Sequence, residues 1–247
     1  MTERESSEGR VALVTGASRG LGAVLAQFLA RQGFSVVVNA RDPAALAASA
    51  EEISQAGGDV VAVPGDVSEL DTQSALFAAV ARWGRLDLLV NNASELGPSP
   101  LPKLSELDPS ALERVLRVNV LAPLSLTQRL LPALRTARGR VVNISSDAAV
   151  AGYPGWGGYG ASKAALDLIS LTFAHELSES AVSVVSVDPG DMRTAMHQAA
   201  FPGEDISDRP LPEITLPFWA WLLHQDADRL TGHRFRAQSD RWEVPEP

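Results

Sequence analysis

The chain has 247 residues, of which 45% are hydrophobic and 21% charged, a balance that excludes wholesale disorder and leaves ample chain for a real core. Its formal charge of -9 argues against nucleic acid or an anionic membrane as partner. The absence of cysteine removes disulfides, thiol nucleophiles and thiolate metal sites, and no apolar run reaches the roughly 18 residues that span a bilayer.

Residues 1–9 are polar and acidic, unlike a signal peptide, and read as a frayed tail on a cytoplasmic protein. Residues 10–247 are expected to form one domain. Strands are predicted at Arg10–Thr15, Ser35–Asn39, Val60–Val63, Leu86–Asn91, Arg140–Ser145, Val182–Val187 and His233–Arg236. Helices are predicted between them at Gly20–Gln32, Pro43–Ala56, Leu70–Trp83, Pro109–Arg135 and Tyr159–Leu177. Alternation of this kind specifies an α/β fold with a parallel, doubly wound sheet of about seven strands and helices on both faces. Continuous apolar runs such as Val36-Val37-Val38 and Leu88-Leu89-Val90 agree, because a strand covered on both faces has no polar side to show. The segment 194–217 breaks the alternation with prolines at 202, 210, 212 and 217, and is expected to form a small lid or substrate loop.

Two motifs carry chemistry. The first strand runs into Gly16-Ala17-Ser18-Arg19-Gly20-Leu21-Gly22 and then into an apolar helix. Glycines there permit a tight turn and close approach to a pyrophosphate, to which the helix N-terminus offers free N–H groups. The second motif is Tyr159-Gly160-Ala161-Ser162-Lys163. The chain has only two tyrosines and two lysines, so a lysine four residues after a tyrosine stands out among arginines. On a helix the two side chains share a face, and a cation beside a phenol favours the phenolate and brings its pKa toward neutrality. The four histidines are scattered with no His-Glu-x-x-His pattern, so no metal site is expected.

The motifs Thr15-Gly16-x-x-x-Gly20-x-Gly22, Asp66-Val67, Asn91-Asn92-Ala93, Asn119, Ser146, Tyr159-x-x-x-Lys163 and Asp188-Pro189-Gly190 resemble those of the short-chain dehydrogenases/reductases, in order and spacing, over about Arg10 to Gly232. The resemblance implies a Rossmann fold and hydride transfer between a nicotinamide and a carbonyl or alcohol. Tyr159 would then be the acid/base, Ser146 would hold the substrate oxygen, and Lys163 would bind ribose and depress the tyrosine pKa. Ser145 is the rival to Ser146, but the thirteen-residue spacing to Tyr159 favours Ser146. Asn119 would complete a water-linked proton relay. Pro123, four residues on, lacks the N–H that would bond the Asn119 carbonyl, which leaves that carbonyl available. The cofactor would be held by Gly16, Ser18, Arg19, Gly20, Leu21, Gly22, Asp66, Val67, Asn92, Ala93, Tyr159, Lys163, Pro189, Gly190 and Thr194.

Where NAD-preferring relatives place an acid at the end of the second strand, this chain has Ala40, followed by Arg41. Arg41 and Arg19 suit a 2′-phosphate, so NADP(H) is the expected cofactor and NAD(H) the alternative, with Asp42 the one opposing charge nearby. The resemblance departs at Ser94, where the family has glycine, and after the last strand, where a family Asp-Gly-Gly is absent. Tyr153, Trp156, Met192 and Met196, with Phe201 beyond, suggest an apolar, small-molecule substrate. Self-association into a homodimer or homotetramer through the two long helices is the family habit. Three readings follow: a carbonyl reductase or alcohol dehydrogenase, a nucleotide-sensing regulator on the same fold, and a ketoacyl-carrier-protein reductase. Retention of both Tyr159 and Lys163 favours the first.

Overall fold

The computed structural model describes residues 9–244, so the expected N-terminal tail lies, Gly9 apart, outside the described residues. Seven strands form one sheet: β1 Val11–Thr15, β2 Ser35–Ala40, β3 Val60–Pro64, β4 Leu88–Asn91, β5 Arg140–Ile144, β6 Ser183–Asp188 and β7 Arg234–Arg236. Their order is β3-β2-β1-β4-β5-β6-β7, every neighbouring pair parallel. The chain winds outward from β1 to β3, then crosses back to β4 and winds the other way. That reversal opens a crevice at the carboxyl ends of β1 and β4, the place where open α/β sheets receive ligands.

Nine helices are described: α1 Gly20–Arg31, α2 Pro43–Gln55, α3 Leu70–Ala81, α4 Pro109–Leu116, α5 Ala122–Ala137, α6 Gly157–Glu176, α7 Ala195–Ala200, α8 Leu216–His224 and α9 Ala227–Leu230. Alternate strand residues feed opposite layers. Ala12, Val14, Val36 and Val38 pack with Leu25 and Leu29 of α1 and Phe218 and Trp219 of α8. Val11, Leu13, Val37 and Leu89 pack with Leu76 of α3 and Leu126 and Leu130 of α5. Proline in the first turn and an aspartate cap start both α2 and α4: Asp42 accepts from the N–H groups of Ala44 and Ala45, and Asp108 from that of Ser110.

Two expectations need correction. The single helix predicted over 109–135 is broken between α4 and α5 by a π segment, Arg117–Leu121, in which the Ala122 N–H donates to the Arg117 carbonyl five residues back. Pro123 has no N–H with which to continue the ordinary pattern, and the widened turn absorbs that loss. The Asn119 stretch is therefore not an otherwise regular helix. The segment 194–217 is also more ordered than a loop. It holds α7, and α8 begins at Leu216 with Pro217 in its first turn, where a missing N–H does no harm. Arg140, at the start of β5, donates to the carbonyls of Leu222 and Gln225 and ties the end of α8 to the sheet.

Candidate active site

A cleft of about 1220 Å³ opens over the carboxyl ends of the strands. Its floor is the turn after β1. Thr15 Oγ1 donates to the Val90 carbonyl and accepts from the N–H groups of Asn92 and Ala93. Asn92 Nδ2 donates back to the Thr15 and Gly16 carbonyls at 2.8 and 3.2 Å, so the glycine turn is lashed to the end of β4. Ser18, Arg19, Gly20 and Leu21 line the cleft beside Gly16; Gly22 does not. A Cβ at Gly22 would stand 2.3 Å from the Gly16 carbonyl oxygen. Gly22 thus lets the helix pack closely on the turn. Asp66 and Val67 form the wall after β3, where Asp66 accepts from the Ser68 N–H and hydroxyl at 2.9 and 2.8 Å. Ala93, Pro189, Gly190 and Thr194 complete the lining on the other side.

At the end of β2, Arg41 is exposed and its Nη1 lies 3.1 Å from a carboxylate oxygen of Glu95, which comes from the loop after β4. Asp42, the charge that opposed a phosphate site, is spent on capping α2.

The other end of the cleft holds Tyr159, Lys163 and Ser146. Tyr159 and Lys163 sit on the buried face of α6, and the ammonium lies 5.5 Å from the phenol ring centroid. A Cβ at Gly160 would be 2.5 Å from the Ala148 carbonyl, so this glycine lets α6 press against the turn Asp147–Ala149 that Ser146 caps. Lys163 Nζ donates to the Ile144 carbonyl at 2.7 Å. Burial pushes the Lys163 ammonium down to about 8, with Asp167 countering. Burial pushes the Tyr159 phenol up to about 12; the hydroxyls of Ser94 and Ser146 counter, while Asp188 and Asp147 reinforce the rise. The expectation of a phenol brought toward neutrality by its lysine is thus not met in this structure. Desolvation sets the direction of the shift, and one of the three ammonium N–H groups of Lys163 is spent on the Ile144 carbonyl.

Asn119 is fully buried and does not line the cleft. Its Oδ1 accepts from the Ser94 hydroxyl and the Glu95 N–H, and its Nδ2 donates to the Glu95 carbonyl and Ser162 Oγ. All of its side-chain capacity is used inside the protein, so any part in proton transfer falls to its backbone. Behind the site, Arg234 of β7 donates to Asp167 at 3.0 Å, to the Ser146 carbonyl at 2.7 Å and to Asp188 at 3.3 Å. Asp167 also accepts from Oγ of the rival serine, Ser145, which lines the cleft beside Ser146.

Tyr153, Trp156, Met192 and Met196 all line the cleft near Tyr159. Trp156 packs edge-on to Tyr159 at 5.8 Å and against Phe201 at 6.0 Å, while the Tyr153 hydroxyl donates to Asp147. His197, Leu211 and Pro212 also face the cleft, so the segment 194–217 borders this end of it.

The family model for short chain dehydrogenase matches residues 10–205. The chain belongs to the short-chain dehydrogenase family. It is 36% identical over 238 residues to an uncharacterized oxidoreductase of Escherichia coli K12, YciK, covering 94% of this chain and 93% of that one. It is 40% identical over 201 residues to the rhamnolipids biosynthesis 3-oxoacyl-[acyl-carrier-protein] reductase of Pseudomonas aeruginosa, covering 77% and 76%. Among solved structures, a short chain dehydrogenase of Shigella flexneri complexed with NADP superposes with a TM-score of 0.85 at 34% identity, covering 93% of this chain and 97% of that one.

Within this short-chain dehydrogenase, the cleft fits a dinucleotide on its own geometry. The turn is close-packed where a side chain would close it, the first turn of α1 opens onto the cleft, and no carboxylate follows β2 at Ala40. Residues missed from the sequence include Glu95, Asp167 and Arg234. An arginine opening the short strand Arg234–Arg236 was a usable signal, since a charge beside the sheet must find partners. Glu95 gave no signal, because nothing in its neighbourhood of the sequence points toward β2.

Proposed function

We propose that the protein is an NADP(H)-dependent carbonyl reductase or alcohol dehydrogenase acting on apolar small molecules, with Tyr159 as acid/base. The observation that carries this reading is the buried Tyr159–Lys163 pair at one end of a dinucleotide-sized cleft, with Ser146 beside it. Bound NADP(H) supplies or accepts the hydride. A phenol held at about 12 is protonated at neutral pH and ready to donate its proton to a carbonyl oxygen as that carbon is reduced. Ser146 Oγ steadies the same oxygen by hydrogen bonding. Lys163, which spends one of its three N–H donors on the Ile144 carbonyl, would hold a ribose hydroxyl with another and stabilise the phenolate left behind. The Asn119 backbone carbonyl, inside the π segment, would hold the water that passes on the replacement proton. Trp156, Met192 and Phe201 make the substrate end apolar.

Arg41 and Arg19 with no carboxylate at Ala40 support NADP(H) over NAD(H), as does the relative complexed with NADP. A homodimer or homotetramer would cover Leu121, Leu168 and Leu171, apolar side chains left exposed between and along α4 to α6; light scattering tests this. Among the described residues no helix is long and apolar enough to cross a membrane, in keeping with a cytoplasmic enzyme. The likeness to an acyl-carrier-protein reductase favours a second reading, reduction of a 3-oxoacyl thioester.

Purified protein is assayed with NADPH and NADH against ketones, quinones and an acetoacetyl thioester. Tyr159→Phe should bind NADPH nearly as wild type and lose most turnover; near-wild-type kcat in that variant would remove Tyr159 from the mechanism. NADPH binding with no turnover on any carbonyl would instead support a nucleotide-sensing regulator.

A further inference from the structure

Glu95 stands where the cofactor reading needs an empty guanidinium. Its main chain is fixed: the N–H donates to Asn119 Oδ1 at 2.7 Å and the carbonyl accepts from Asn119 Nδ2 at 2.9 Å. With the backbone clasped by a fully buried side chain, the carboxylate has a set origin, and it reaches Arg41 Nη1 at 3.1 Å. Arg41 follows β2 and Glu95 follows β4, with β1 between them in the sheet. Two strand spacings are about 10 Å. The ion pair therefore crosses the carboxyl end of β1, above the glycine turn, and both partners line the cleft.

We propose that Glu95 is a specificity-determining residue that competes with the 2′-phosphate of NADP(H) for Arg41. The inference rests on the NADP(H) reading above. The carboxylate takes the guanidinium through Nη1; a phosphate that engages the fork bidentately needs a donor on that side, and the two anions repel, so one leaves as the other arrives. A dinucleotide without the 2′-phosphate has nothing to exchange for Glu95 and leaves the pair in place. Glu95 thereby lowers affinity for the phosphorylated cofactor alone and narrows the discrimination that Arg41 provides. Side-chain exposures of 62% for Arg41 and 29% for Glu95 keep the effect small, in the range of exposed ion pairs.

The test is calorimetric binding of 2′,5′-ADP, 5′-AMP, NADPH and NADH to wild type, Glu95→Gln, Glu95→Asp, Arg41→Ala and the Glu95→Gln/Arg41→Ala double variant. Glu95→Gln removes the charge and keeps the backbone clasp; Glu95→Asp keeps the charge and shortens the reach. Both should lower Kd for 2′,5′-ADP and NADPH by about two- to fivefold and leave 5′-AMP and NADH unchanged. In the Arg41→Ala background the gain should vanish. Unchanged affinity for the phosphate-bearing ligands overturns the inference. An equal gain for 5′-AMP, or one that survives in Arg41→Ala, also overturns it, because it would report general repulsion and not a shared contact. Should wild type bind 5′-AMP as tightly as 2′,5′-ADP, the NADP(H) reading itself falls and takes this inference with it.

Discussion

Replacing Lys163 with methionine tests how much the site costs the fold. Lys163 is 2% exposed, and burial lowers its pKa from 10.5 to about 8. At about 1.4 kcal/mol per pH unit, carrying that charge in the folded state destabilises the protein by about 3 kcal/mol. Methionine removes the charge but leaves the Ile144 carbonyl without its donor, which costs about 1–3 kcal/mol. At pH 7 the two effects nearly cancel, so the diagnostic lies in the pH dependence. The folded pKa is below the unfolded one, so the folded protein gives up this proton first as pH rises. Wild-type stability should therefore rise between about pH 8 and 10.5 relative to Lys163→Met, by about 2–3 kcal/mol at pH 10. Below pH 8 the difference should be flat. Urea unfolding of the ligand-free protein at pH 7, 8, 9 and 10 gives the two curves. Measurement stops at pH 10 because Tyr159, held at about 12, has the opposite sign: its contribution is lost from pH 10 to 12, where only the unfolded phenol ionises. Parallel curves from pH 7 to 10 would refute a buried ammonium with a depressed pKa.

Arg41→Ala should reduce the ratio of kcat/KM for NADPH over NADH by about tenfold, the lower end for a charge-assisted phosphate contact, because Arg41 is exposed and already engaged by Glu95. Equal weakening of both cofactors would remove Arg41 from phosphate recognition. Arg234→Gln leaves Asp167 and Asp188 without their cation, and should lower stability by about 3 kcal/mol and Tm by about 6–12 °C in calorimetry. A Tm within 2 °C of wild type would show that the three-way contact is not holding α6, β6 and the turn after β5 to β7.

Sequence periodicity made the sheet legible because parallel strands buried on both faces are unbroken apolar runs, and each of the seven predicted strands lies within two residues of an observed one. The α8 helix was not legible. Its Leu-Pro-Phe-Trp-Ala-Trp-Leu-Leu-His run is apolar all round, so no amphipathic period marks it, and the prolines before it read as loop. The π segment was half legible: Pro123 announced an interruption but not the form it took. In the cleft, spacing placed Ser146, Tyr159 and Lys163 at one end and the glycine turn at the other. It could not show that the Asn119 side chain is wholly consumed, that Gly22 packs against the Gly16 carbonyl, or that Arg41 has an acidic neighbour from the loop after β4. Those facts depend on contacts between residues dozens of positions apart, where charge and spacing along the chain carry no information.

The distribution of tryptophan gives the protein two separable optical reporters. Of its five tryptophans, Trp219, Trp221 and Trp242 gather with Phe218 in one aromatic cluster on the β7 side of the sheet. Trp156 alone among them lines the cleft, edge-on to Tyr159. Emission from the cluster follows the intactness of the sheet edge, whereas quenching of Trp156 follows occupation of the substrate end. A Trp156→Phe variant would silence the second signal and keep the first, with Trp83, packed on the other core layer, a background common to both, so ligand docking and global unfolding can be watched in one cuvette without an added label.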